Sequence, residues 1–96
     1  MDIRDFQEHI RTLYSARDRA RGIEHTFMWL VEEVGELAEA LRQNDRAAIE
    51  EELADVVAWA TSVANLQGLD MTAILQKKYG AVCHYCKGNP CTCTKG

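Results

Sequence analysis

A chain of 96 residues is one small domain, and 47% apolar content with a single proline describes a folded chain rather than a disordered one. A net charge of −4 argues against nucleic acid as the main ligand, because a duplex binder shows a basic stripe. No apolar run reaches membrane-span length and no signal-peptide pattern opens the chain, so a cytoplasmic protein is expected, whose four cysteines suit metal better than disulfides.

Ile3, Phe6, Ile10 and Leu13 recur at helical spacing, which predicts a first helix from about residue 2 to about residue 16. "SARDRARGIEH" then reads as an Arg-rich connection broken at Gly22. A second helix is expected from about Thr26, a suitable N-cap, to about Gln43. Asn44 or Asp45 offers the next cap, for a third helix ending near Gln67, and Gly68 suits its C-terminus. Asp70 can cap a shorter fourth helix through about Tyr79. No strand pattern occurs. Beyond Gly80 the composition changes to "CHYCKGNPCTCTKG". The expected architecture is all-α: a small antiparallel bundle of about four helices over residues 1–80, with a Cys-rich tail over 81–96. A chain this short buries a modest core and often needs a partner subunit or a metal.

On a wheel of about 100° per residue, Leu30, Val34, Leu37 and Leu41 form the core stripe of the second helix. Glu32 and Glu39 fall opposite it, as solvated surface. Glu33 and Glu36 fall on the shoulder of the stripe, near Trp29 and Ala40. In the third helix the core is Ile49, Leu53, Val56, Val57, Ala60 and Ala64, with Glu52 on the shoulder beside Trp59 and with Glu51 and Ser62 pointing away. The wheel does not single out Asp55, which follows Glu52 by three residues and precedes Trp59 by four. Each helix thus offers an acid pair at i, i+3 near a tryptophan. In an antiparallel hairpin four carboxylates can converge, repel one another and resist desolvation. A hard divalent ion offsets them, and Mg²⁺ fits if water and phosphates complete its octahedron. The competing reading is a salt-bridged helical surface. Gly35, which costs roughly 1 kcal/mol in a helix interior, is there for close approach or is a tolerated surface residue.

"LVEEVGELAEAL" followed by "EELADVVAWATSVAN" resembles the MazG-like nucleoside triphosphate pyrophosphohydrolases of the all-α NTP pyrophosphatase group. The helix pattern matches over about residues 3 to 80, with EExxE and EExxD standing as Glu32-Glu33-Val34-Gly35-Glu36 and Glu51-Glu52-Leu53-Ala54-Asp55. The resemblance implies that Glu33, Glu36, Glu52 and Asp55 bind Mg²⁺. It also implies hydrolysis between the α and β phosphates, giving the monophosphate and pyrophosphate, with Glu33 or Glu36 as candidates to take the proton of water. Trp29 and Trp59 either stack on a base or wall the pocket, or belong to core and subunit interface. Arg17, Arg19 and Arg21 form the dense positive cluster before the motifs, and Lys77 and Lys78 lie near the family's basic position. Lys78-Tyr79 resembles the family's "K-Y" ending, and His25 precedes the acidic helix. Members of this size assemble as dimers or tetramers that complete the pocket across subunits, so a homodimer or homotetramer is expected. Here the cysteine tail replaces the family's longer C-terminal arm.

Cys83, Cys86, Cys91 and Cys93 read C-x2-C-x4-C-x-C. The first pair has knuckle spacing with a turn at Lys87-Gly88, the last pair is closer than a usual zinc half-site, and His84 is a substitute ligand. A structural Zn²⁺ is favoured over free thiols. The reading that competes with the enzyme is a non-catalytic helical assembly module whose tail docks a partner.

Overall fold

In a computed structural model of the chain, which describes residues 1–94, four helices follow one another: α1 (Ile3–Arg21), α2 (Ile23–Arg42), α3 (Arg46–Leu66) and α4 (Met71–Tyr79). A capping box opens α1: the Asp2 side chain accepts from the Asp5 N–H, and the Asp5 carboxylate accepts from the Asp2 N–H. Asp45 and Asp70 cap α3 and α4 by accepting from the N–H groups of Ala48 and Ala73. No described helix is long and apolar enough to cross a membrane.

Two expectations about the first connection are corrected. The Arg-rich stretch is not a loop: arginine and alanine are good helix formers, and α1 continues through them to Arg21. The whole connection is Gly22, at φ 86° and ψ 165°. Thr26 is therefore inside α2 rather than at its N-cap, fully buried, with its hydroxyl accepting from the Arg21 guanidinium.

The short turn after Gln43 folds α3 back along α2, and α1 packs on α3 as well. With neighbours on two sides, α3 is the central helix. For this reason Ser62, expected to point away, is instead buried towards α1. Gln7 ties the ends together. Its amide nitrogen donates to Asn65 Oδ1 and to the Leu69 carbonyl, and its oxygen accepts from the Met71 N–H, all at 2.8 Å.

The core of a single chain is thin. Among the described residues only Ile10, Ala40 and Ala64 are buried and apolar. Val34, Leu41, Leu53 and Val57, read as core from their spacing, stay about half exposed, and so do Ile3 and Leu13. Phe27, Met28 and Val31 add to the uncovered apolar surface of α2. One layer of helices cannot cover both sides of α2, so the second side stays open. Gly35 is exposed, and a Cβ there would meet nothing within 4 Å, which favours the surface reading within the chain.

Gly22 sits in a backbone region that essentially only glycine adopts. Gly22→Ala is expected to lower stability by about 1–3 kcal/mol, read as a lower urea midpoint at unchanged slope.

Candidate active site and metal centres

Glu33 and Glu36 lie one turn apart on α2, and the hairpin brings Glu52 of α3 to face them. Carboxylate oxygens of the three lie within 4.8 Å of one another. Glu33 Oε2 and Glu52 Oε2 are shut off from solvent and have no hydrogen-bond partner. Burial first, then the closeness of the Glu52 carboxyl, then the charges of Glu36 and Asp55 push the Glu33 carboxyl up to about 7. The adjoining Glu36 carboxyl is the main cause that raises Glu52. Among the described residues no Lys or Arg pairs with any of the three. Shielded carboxylate oxygens without donors or cationic partners are a donor set that suits a hard divalent ion. Glu32, Glu39 and Glu51 are exposed, and Glu39 is paired with Arg42.

Asp55 stands outside that trio, although its charge reaches both Glu33 and Glu52. It lines a neighbouring cavity of about 250 Å³ between α1 and α3, together with Tyr14, Arg17, Arg21, Trp59 and Ser62. Arg21 is held there by three contacts. It donates to Asp18 Oδ1 at 2.8 Å and to Thr26 Oγ1 at 3.2 Å, and its guanidinium lies 4.7 Å from the centre of the Trp59 ring. Trp29 stacks on Trp59 at 6.1 Å with 19° between planes. Trp59 is thus engaged by Arg21 and Trp29, while Trp29 keeps nearly half its surface open.

The other candidates stand apart from the trio. His25 is exposed, its Nδ1 at 3.4 Å from the Arg21 carbonyl. Arg19 lines a different depression, with Arg11 and Asn65. Lys78, at the end of α4, faces a cleft beside the tail, because α4 packs on α1 rather than on the hairpin. Sequence reading missed Asp18, which is buried at the back of the cavity and orients Arg21. The signal was present as an i, i+3 acid–base pair, visible only once the helix is continued to Arg21.

The four cysteine sulfurs form a second cluster, all within 4.8 Å of one another. Cys83 and Cys93 are 3.7 Å apart and Cys86 and Cys91 are 3.9 Å apart. A disulfide needs about 2.05 Å. Four sulfurs about 2.3 Å from a tetrahedral zinc lie about 3.8 Å from one another, which these distances fit. Backbone N–H groups of Gly88 and Thr92 donate to Cys86 Sγ, and that of Cys93 donates to Cys91 Sγ. The Thr92 and Gly88 donors lead in pulling the Cys86 thiol down to about 5, while the adjoining sulfurs of Cys91, Cys83 and Cys86 push Cys93 up to about 11. The loop closes through Cys83 N–H to the Gly88 carbonyl and Lys87 N–H to the Cys83 carbonyl. A Cβ on Gly88 would lie 2.8 Å from the Pro90 carbonyl, so the turn needs glycine. His84 is outside the sulfur cluster, with its ring beside those of Tyr79 and Tyr85.

The family profile described as MazG nucleotide pyrophosphohydrolase domain matches residues 21–83, which takes in both acid motifs, Arg21 and Lys78. No curated protein matches the chain.

Because Asp18 is buried and Arg21 is its ion-pair partner, Arg21→Ala strands a charge in the interior. A loss of about 3 kcal/mol in urea unfolding is expected, with a smaller loss for Asp18→Asn, which leaves no buried carboxylate.

Proposed function

The chain belongs to the MazG nucleotide pyrophosphohydrolase domain family, and on that premise we propose that it hydrolyses nucleoside triphosphates between the α and β phosphates in a Mg²⁺-dependent reaction, releasing monophosphate and pyrophosphate. Membership supports nucleotide pyrophosphohydrolase activity in general. The observation that carries the finer reading is the convergence of Glu33, Glu36 and Glu52, with their shielded, unpartnered oxygens.

In this reading the trio holds the metal from two helices, and Asp55 serves it from the edge of the cavity. A bound divalent ion supplies neutralising charge for phosphate oxygens and a more acidic water. Glu33 or Glu36 takes the proton of the attacking water. Arg17, exposed at the cavity rim, meets phosphate charge, whereas Arg21 is committed to Asp18 and Trp59 and serves mainly to shape the wall. The open side of Trp29 is the surface on which a base can stack. The uncovered apolar face of α2 and α3 supports a homodimer or homotetramer, and only across such an interface could Lys78 or His25 reach the substrate. The four sulfurs hold a structural Zn²⁺. This reading places the protein in the cytoplasm, where thiols stay reduced and nucleotide pools need cleaning.

The test is pyrophosphate release from a panel of ribo-, deoxyribo- and modified nucleoside triphosphates, each with Mg²⁺ and with chelator. Release from some of them that needs Mg²⁺ is expected, and silence across the panel overturns the reading. Glu36→Gln and Asp55→Asn should each cut turnover by roughly a hundredfold or more while the helical circular dichroism persists; wild-type turnover in either removes that residue from the ligand set. Elemental analysis of protein purified without chelator should find about one zinc per chain, lost in Cys86→Ser.

A further inference from the structure

The charges of this chain are segregated. All its acidic residues lie at or before Asp70, and all its lysines, Lys77, Lys78, Lys87 and Lys95, lie after it. The average of −4 therefore hides a basic C-terminal segment. Four thiolates around a divalent ion would leave that segment two negative charges, fewer than its lysines supply.

The fold gathers these groups. The end of α4 and the cysteine loop enclose a cleft of about 280 Å³ lined by Lys77, Lys78, Lys87 and His84. Among the described residues none of the three lysines is in an ion pair. Lys87 spends one donor on the His84 carbonyl at 3.2 Å, and Lys78 lies 5.5 Å from the centre of the Tyr79 ring. Beside the lysines runs a row of rings: Tyr79 to His84 at 6.5 Å and His84 to Tyr85 at 4.9 Å. Tyr85 is 80% exposed and Tyr79 63% exposed.

Amines that track a phosphate backbone, alternating with open ring faces, are the elements of single-strand recognition. A polyanion without bases would use the lysines and leave the rings idle. A duplex has its base faces stacked away and needs a helix or ribbon to enter a groove, which this short loop does not present. We propose that the cleft and ring row bind a short stretch of single-stranded nucleic acid, with phosphates on Lys77, Lys78 and Lys87 and a base stacked on Tyr85. The site depends on the four-sulfur centre holding the loop, and its binding is read without hydrolysis at the carboxylates.

The experiment is fluorescence anisotropy with the zinc-loaded 96-residue chain and labelled 12-nucleotide RNA and DNA single strands, their duplexes, and inorganic polyphosphate as competitor. Binding to at least one single strand is expected, with a log–log salt slope of about −2 for three phosphate contacts. Tyr85→Ser should weaken binding by roughly tenfold or more. Lys87→Gln should weaken it a few-fold and flatten the salt slope, and both variants should keep their zinc and their pyrophosphate release. The RNA and DNA arms identify the favoured strand. No binding to either strand at low salt, equal binding of duplex, or a neutral Tyr85→Ser with polyphosphate competing freely would each overturn the proposal. Because binding is read without turnover, a silent hydrolysis panel leaves this result interpretable.

Discussion

Carboxylates that face one another across two helices are a liability unless something positive joins them, and the pairing of α2 with α3 has this liability at its centre. Glu33, Glu36 and Glu52 crowd within 4.8 Å, and two of their oxygens see neither water nor a donor. Shoulder positions of these helices that could have added apolar burial are spent on charge. Among the described residues the buried apolar set is correspondingly small: Ile10 and two alanines. The hairpin thus gives up apolar burial in its own interior, and its acids form a donor set that suits a cation.

The wall beside the acids is organised from α1. Gly22 lets α1 end and α2 begin within one residue, which sets Asp18 and Arg21 on one helix near Thr26 on the next. Arg21 then bridges three elements, ion-paired to α1, hydrogen-bonded to α2 and stacked on Trp59 of α3. A flexible basic loop could not hold the guanidinium this way. The continuous helix turns an exposed charge into a fixed part of the cavity, whose lining Asp55 shares.

Much of this arrangement was legible in the residues. Helical spacing, the Asp45 and Asp70 caps and the shoulder position of Glu33, Glu36 and Glu52 all follow from local periodicity, which a wheel measures directly. Asp55 was the residue the wheel did not select, and it is also the one outside the trio. What stayed hidden depends on which helix packs where. Ser62 looked solvated because the wheel assumes one buried face, whereas α3 has neighbours on two. Val34, Leu41, Leu53 and Val57 looked like core because periodicity marks a face for burial without saying whether the same chain supplies the cover. The end of α1 was misplaced because arginines were read as charge rather than as helix formers. In the tail, spacing alone made the last cysteine pair look too close for a usual half-site, whereas the four sulfurs lie within 4.8 Å of one another, with Cys86 and Cys91 held by backbone N–H groups.

The stack of Trp29 on Trp59 involves both of the chain's tryptophans, at 6.1 Å and 19°. A guanidinium lies over one of the two indoles, at 4.7 Å from the centre of the Trp59 ring. Every tryptophan photon from this protein therefore originates at the edge of the carboxylate site, with no background from elsewhere in the chain. The molecule carries a native chromophore for events at that wall, one that joins α2 to α3 without any label.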